Sequence, residues 1–345
     1  MKYYILIILY IIFLLLYCNC YKYKVSVIIP VYKAEPWLRD CMNSIINQTL
    51  KELQVICIND DSPDNSLNIL LEYSKKDKRI TVISIKHSGI SESRNQGLKL
   101  VEGEYLGFVD DDDIIDSKHF EKMYEYAKKD DIDLLAIKEK KFKDGTPLEK
   151  IINNSIIYKD SKKYDIDHHF IHLQNENWNK LYKTKIVQEN NIFFEPNIGG
   201  EDINFNFKYY PFVKSYKWLN SQSYYFRKKK KLYGKNYYFK YNRIFFQSIA
   251  DFYKKINFNK KNPLRCFEMM VSSYRRLIPN LPKYRLNHEY VKNFFEVLEQ
   301  LNVYNQTIFN NSNKYIKRLF GYIHNEYINK ILKKEKKKNN FKKDL

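Results

Sequence analysis

The sequence predicts an α/β chain: a doubly wound, mostly parallel sheet followed by a C-terminal helical extension. Three observations support this. Short apolar runs alternate with amphipathic stretches from Lys24 to about Ile137, acidic residues follow two of those runs, and apolar residues recur at helical spacing beyond Asn236. Alternation of this kind is the signature of βαβ units, whose ligands collect at the carboxyl ends of the strands.

The first strand is "KVSVIIPVY" (24–32), and Trp37, Leu38, Cys41, Ile45 and Ile46 then mark one face of a helix. "LQVICIN" (53–59) is the second strand, followed by a helix from about Asn65 carrying Leu67, Leu70 and Leu71; Asp64 stands where an N-cap belongs. "ITVISI" and "YLGFV" continue the series, with "SESRNQGLKLV" as the helix between them. Phe120, Met123, Tyr124 and Ala127 define the next helix and "DLLAI" closes the unit. A hairpin or loop is expected over "KEKKFKDGTPLEK", and helices near 237–255, 265–277, 289–301 and 314–334.

These boundaries divide the 345 residues into an apolar segment (1–20), a sheet-bearing domain (24–235), a helical extension (236–332) and a basic tail (333–345). The stretch from Tyr3 to Cys18 is apolar throughout and reads as a retained anchor in preference to a cleaved signal segment, since no small-residue cleavage site follows it. Lys2 precedes it, whereas Lys22, Lys24, Lys33 and Arg39 follow it, so the positive-inside rule keeps the body of the chain on the cytoplasmic side of a membrane.

Lys and Arg number 60 against 40 Asp and Glu, a net charge of +20 that suits an anionic partner: a membrane surface, nucleic acid or a phosphorylated substrate. An excess of Lys, Asn, Ile and Tyr is also what an A+T-rich genome produces, which weakens the charge argument. No RNA-reading motif is present, and no nucleic-acid partner is expected. The five cysteines show no ligand spacing and read as ordinary buried thiols in a reducing compartment. The sequons at Asn47, Asn153, Asn305 and Asn310 are near chance in a chain so rich in Asn.

Acidic residues concentrate at two strand ends. Asp60 and Asp61 follow the second strand, and Asp110 to Asp113 follow the fourth, so both groups fall on one edge of a parallel sheet. Carboxylates this close repel one another, and burial adds to the cost unless a cation compensates. A hard divalent ion, Mg²⁺ or Mn²⁺, suits one or two carboxylates completed by waters and phosphate oxygens. On an extended segment Asp110 and Asp112 point to one side, with Asp111 facing elsewhere. Adjacent histidines in "DHHF" (167–170) project to different faces of a helix and make a poor metal site.

Taken in order, "VIIPVY", "INDDSPDNS", "HSGISESRNQG", "GEYLGFVDDDD", "WNKLY" and "GED" resemble the family-2 glycosyltransferases, inverting enzymes of the GT-A fold, over about Val25 to Arg227. The resemblance implies a nucleotide-sugar donor, commonly a UDP-sugar, and a glycan or glycolipid acceptor. It places Pro30, Val31 and Tyr32 over the nucleotide, Asp60 at the nucleobase, Arg94 with Asn95 behind the diphosphate, and Asp111 with the donor-binding set. Asp110 and Asp112 match the metal-binding DxD motif. Asp202, with Glu201 beside it, matches the general base, and Trp178, Asn179 and Lys180 a segment on the acceptor side. The chain departs from the usual residues at Lys33 (often Asn), Asp61 (usually Gly) and Ser93 (commonly Ala).

Those roles make chemical sense by themselves. Glycosyl transfer needs a base for the acceptor hydroxyl and neutralisation of a diphosphate leaving group, and no protein nucleophile. Glu201 and Asp202 also fit a helix N-terminus, where the dipole favours acids. His87 reads as a plain loop residue, with contact to a phosphate as the alternative, and Arg227 either approaches the diphosphate or acceptor or lies at the surface. Two alternatives stand beside this reading: a Mg-dependent nucleotidyltransferase, which would carry a glycine-rich loop where "VYKAEPW" stands, and a non-catalytic basic protein that binds membranes or polyanions.

Overall fold

The computed structural model describes residues 3, 4, 7, 21–152, 163–165, 175–229, 242–277, 288–303, 306–312, 314, 316–318, 320 and 321. In chain order the elements are β1 (Tyr23–Val31), α1 (Glu35–Ile46), β2 (Leu53–Asn59), α2 (Ser66–Lys76), β3 (Ile80–Ser84), α3 (Ile90–Leu98), β4 (Gly103–Phe108), β5 (Ile114–Ile115), α4 (His119–Lys129) and β6 (Leu134–Lys143). There follow α5 (Leu148–Ile151), β7 (Lys163–Asp165), β8 (Lys180–Lys183), α6 (Thr184–Glu189), α7 (Glu201–Tyr209) and β9 (Ser215–Lys228). The chain continues as α8 (Asn242–Lys255), α9 (Phe258–Lys261), α10 (Pro263–Leu277), α11 (His288–Leu301) and α12 (Gln306–Asn311).

Two compact units result, the first made of residues 1–161, 178–189 and 218–227. Its strands lie in the order β3-β2-β1-β4-β8-β6-β9-β5. The expected α/β architecture is present, but only β3, β2, β1 and β4 are parallel; β8 runs antiparallel to β4, and β6 antiparallel to β8. Strands β1 and β2 carry continuous apolar runs because they are interior, and Val27, Ile28, Val55 and Ile56 are all fully buried. Pro30 is tolerated in β1 because the ladder with β4 ends at Ile28 opposite Phe108, so no hydrogen bond to β4 is forfeited beyond it.

Close packing of β1 against β4 depends on Gly103. A Cβ there would fall 2.4 Å from the main-chain nitrogen of Ser26, and the glycine N–H donates to Ser26 Oγ at 2.8 Å.

Three local expectations need correction. Asp110 to Asp113 do not continue as an extended strand; Asp113 N–H donates to the Asp110 carbonyl at 3.2 Å, which closes a tight turn. The i, i+2 argument for Asp110 and Asp112 therefore fails at its premise, because the chain turns at the strand mouth instead of staying extended. Residues 138–143, expected as loop or hairpin, extend β6 instead, since Phe142 alternates inward and is buried. Asp64 lies one residue ahead of the α2 N-cap, yet its carboxylate accepts the N–H of Ser66 at 3.1 Å and that of Glu35 at 3.1 Å. Glu35 in turn accepts the N–H of Asn65 at 3.0 Å, so each acid caps the other's helix.

The second unit comprises residues 162–177, 190–217 and 228–345. In it β7 pairs antiparallel with residues 215–217 of β9. The expected helices over 237–255, 265–277 and 289–301 correspond to α8, α10 and α11. Aromatic packing joins them: Phe246 stacks on Tyr274 with ring centroids 5.6 Å apart, and Phe294 lies 4.5 Å from Tyr274. Tyr253 in α8 donates its hydroxyl to the Phe207 carbonyl at 2.8 Å, tying α8 to α7.

Among the described residues, no helix is long and apolar enough to cross a membrane. The apolar segment apart from residues 3, 4 and 7, the "DHHF" pair and the basic tail lie outside the described residues.

Candidate active site

The carboxyl ends of β1, β2 and β4 meet on one edge of the first unit. Asp60 donates its N–H to the Val31 carbonyl at 2.9 Å on one side of the β1 tip. On the other side Tyr32 donates its N–H to Asp111 Oδ2 at 3.1 Å. The two acidic strand ends are thus joined through Val31 and Tyr32, two of the residues expected to close over a nucleotide. Asp111, expected to face away from the other acids, is the carboxylate that links them.

Asp60 is 2 % exposed, and its charge is taken up by the start of α3. Oδ1 accepts the N–H of Ser88 at 2.7 Å and Oδ2 that of Gly89 at 2.9 Å, while His87 Nδ1 lies 2.9 Å from Oδ2. Gly89 holds φ at 86°, a conformation that presents these N–H groups together at the helix N-terminus. His87, expected as a plain loop residue, therefore has a definite place: it pairs with Asp60 and stacks on Tyr32, with ring centroids 4.3 Å apart and planes at 20°. Tyr32 remains 38 % exposed, and Lys33 Nζ lies over its ring 5.1 Å from the centroid.

Lys33 and Asp61 both adopt left-handed backbone, at φ 55° and 53°. These are the positions where Asn and Gly are usual in the resembled family, and both residues reach positive φ at lower cost than lysine. Two of the three departures noted in sequence, Lys33 and Asp61, therefore sit at the turns that follow β1 and β2.

Arg94 supplies the counter-charge that the sequence argument sought in a metal. It is 1 % exposed and its Nη2 lies 3.2 Å from Asp110 Oδ1. Asp113 is fully buried; burial first, then the charges of Asp112 and Asp110, holds its carboxyl well above the usual range. Tyr224 donates its hydroxyl to Asp113 Oδ2 at 2.8 Å and accepts the Asp110 N–H at 3.2 Å. Arg227 is 5 % exposed, which excludes the surface role considered for it. Its main-chain N–H donates to Asp113 Oδ1 at 2.7 Å and its Nε to the Asp112 carbonyl at 2.7 Å. Asp113 and Tyr224 were not assigned to the site from sequence, and Arg227 was expected either to approach the diphosphate or acceptor or to lie at the surface. The signal was a strand ending in "YYFR", whose alternation buries Ser223, Tyr225 and Arg227 but predicts neither the burial of Tyr224 nor the partner of either residue.

Asn179 and Lys180, expected on the acceptor side, are turned inward. Asn179 donates to the Ile137 carbonyl at 3.2 Å, and Lys180 Nζ donates to Asn179 Oδ1 at 2.9 Å. Trp178 stacks on Tyr224 at 4.5 Å. Glu201 and Asp202 belong to the second unit, where they open α7 behind Gly200, whose φ is 82°. The Asn177 N–H approaches Asp202 Oδ2 at 3.4 Å. That placement satisfies the helix N-terminus reading of both acids.

Among the described residues, no group of three or more His, Cys, Asp or Glu side chains could hold a metal ion unaided. The half-buried carboxylates of Asp110 and Asp112 nevertheless fit Mg²⁺ or Mn²⁺, ions that take one or two protein carboxylates and complete their shell from water and phosphate. Cys41 and Cys57 are free and buried, as expected, and burial pushes the Cys57 thiol up to about 12.

A parallel sheet end that collects an aromatic stack, an anchored aspartate and an acidic turn lies where open α/β sheets collect their ligands. Residues 26–191 match the sequence model of Glycosyl transferase family 2. An uncharacterized glycosyltransferase, EpsJ of Bacillus subtilis, is 31% identical over 59% of this chain and 60% of its own length. A poly(ribitol-phosphate) beta-glucosyltransferase of Bacillus spizizenii is 29% identical over 51% of this chain and 27% of its own length. The chain thus spans less than two thirds of either relative. A crystal structure of S. aureus TarS 1-349 in complex with UDP-GlcNAc superposes with a TM-score of 0.69 at 22% identity, covering 89% of this chain and 88% of that one. The fold is therefore the GT-A-like mixed sheet with helices that the sequence resemblance implied.

Proposed function

We propose that the protein transfers a sugar from a nucleoside-diphosphate-sugar donor onto a glycan or lipid-linked acceptor, with inversion. One observation carries the reading: Tyr32, Asp60 and Asp110 to Asp112 share a single sheet edge, linked by the Tyr32 to Asp111 hydrogen bond. The family match favours this reading over nucleotidyl transfer, and the TarS complex and the glucosyltransferase relative support a UDP-sugar donor and a surface-polymer acceptor.

In this reading Tyr32 offers its exposed ring to the nucleobase and Asp60 orients the base beside it. Asp110 and Asp112 would hold Mg²⁺ or Mn²⁺, which would offset negative charge developing on the diphosphate. Asp202, with Glu201 beside it, takes the proton from the acceptor hydroxyl as that oxygen forms its bond to the anomeric carbon and the bond to the diphosphate breaks. Single displacement leaves no covalent enzyme intermediate, in keeping with a site that offers no activated serine or cysteine.

The test is release of nucleoside diphosphate from a panel of nucleotide sugars with Mn²⁺ present. Release abolished by Asp112→Ala and by EDTA, and reduced at least a hundredfold by Asp202→Asn, is expected; release indifferent to all three would overturn the reading. We also propose that residues 3–18 attach the chain to a membrane with the catalytic part on the cytoplasmic side. Fractionation of the full chain against a variant lacking residues 1–20 tests that: equal partition into the soluble fraction would refute it.

A further inference from the structure

We infer that Tyr224, Asp113 and Arg227 are positioning residues that hold the acidic turn in its donor-binding shape before any cation arrives, an inference that rests on the donor-site reading above. Four consecutive aspartates cannot keep a tight turn by themselves, because their mutual repulsion favours opening. What closes the turn is protein chemistry on its inner side. The Tyr224 hydroxyl bridges the first and last aspartates, accepting from Asp110 N–H and donating to Asp113 Oδ2. Arg227 then grips the same turn twice, through its main-chain N–H on Asp113 Oδ1 and its Nε on the Asp112 carbonyl.

Both residues are themselves fixed. Tyr224 lies against Trp178, with ring planes at 20°. The two terminal nitrogens of Arg227 reach Asp144 Oδ1 at 3.1 Å and Asp40 Oδ2 at 2.8 Å, and its guanidinium carbon sits 4.8 Å from the centre of the Phe142 ring. Asp144 is held in turn by Trp37 Nε1 at 3.3 Å. Arg227 therefore draws α1, the turn after β6 and the acidic turn onto β9. With Nε and both terminal nitrogens bonded to protein oxygens, this guanidinium supports the carboxylates that face the donor and is not itself the diphosphate ligand. A planar, fixed fork is required, which a lysine does not supply.

The experiment uses the full chain and measures Mn²⁺ binding by electron paramagnetic resonance at a fixed concentration of UDP, together with the thermal midpoint. Tyr224→Phe keeps the ring and removes only the bridging hydroxyl; it is expected to weaken Mn²⁺ binding about fivefold to tenfold. Arg227→Met is expected to weaken it further, with Arg227→Lys failing to restore it. Tyr105→Phe, which loses a buried hydroxyl remote from the turn, serves as the stability control and is expected to bind Mn²⁺ like the wild type. Wild-type affinity in Tyr224→Phe and in any folded Arg227 variant would overturn the inference while leaving the donor-site reading intact. A wild-type chain that binds neither Mn²⁺ nor UDP would remove both.

Discussion

Asp60 accepts the main-chain N–H of Gly89 at 2.9 Å, fastening the tip of β2 to the first turn of α3. With the Ser88 N–H on the other carboxylate oxygen, the side chain works as an anion seated at a helix N-terminus. Asp60→Asn places an amide NH₂ against a backbone donor. It is expected to lower stability by about 1–3 kcal/mol in urea denaturation, and an unchanged midpoint would show that these bonds contribute nothing.

Arg94 and Asp110 form the buried ion pair beneath the cleft. Arg94→Met leaves the Asp110 charge without this cation and is expected to destabilise the fold by about 2–4 kcal/mol. The carboxylate is a quarter exposed, so water offsets part of the loss and the lower end of that range applies. Equilibrium unfolding measures it; a stability equal to wild type would show that the pair is dispensable.

Two glycines test how tightly the first sheet is built. A Cβ at Gly103 meets the main-chain nitrogen of Ser26 at 2.4 Å, whereas one at Gly97 meets the Ile28 side chain at 2.6 Å. Main chain cannot rotate away. Gly103→Ala is therefore expected to cost about 3 kcal/mol and Gly97→Ala about 1–2 kcal/mol, an order that paired denaturation curves would confirm or reverse.

His119 gives the fold an acid-sensitive step. It is fully buried against Ser223 Oγ at 2.8 Å, and burial lowers its imidazole to about 3 from an ordinary 6.5. Between those values the unfolded chain binds a proton that the folded chain excludes, so this residue's contribution to stability falls as pH drops from 6.5 towards 3. His119→Gln removes that titration. Its thermal midpoint is expected to decline less steeply than that of the wild type between pH 6.5 and 4.5; parallel declines would exclude the residue as the cause.

Tyr32 carries the exposed ring of the cleft, stacked on His87. Tyr32→Ala is expected to weaken UDP binding about fivefold to a hundredfold, the range for loss of one aromatic face from a base. Isothermal titration calorimetry measures it, and unaltered affinity would place the nucleobase elsewhere.

Much of the site was legible in sequence because strand ends in a parallel sheet share one edge. Once "LQVICIN" and "YLGFV" are read as parallel strands, Asp60 and Asp110 must come out on the same side, and the hydrogen bonds through Val31 and Tyr32 bear that out. The partners of these acids were less legible. Arg94 lies in a motif, but only packing reveals that it neutralises Asp110, and Arg227 reaches Asp113 across 114 positions of sequence. Likewise the antiparallel half of the sheet was missed because β8 has four residues, too few for an alternation pattern to show direction.

Composition and periodicity by themselves determined the run of strands and helices and the acidic strand ends, because these depend on local alternation along the chain. Tertiary structure alone decided how the charge is balanced. Compensation depends on which groups meet when water is excluded: a buried arginine under Asp110, a tyrosine hydroxyl and a second arginine behind Asp113, and helix N–H groups around Asp60. Distance in space sets those energies, and separation along the chain does not.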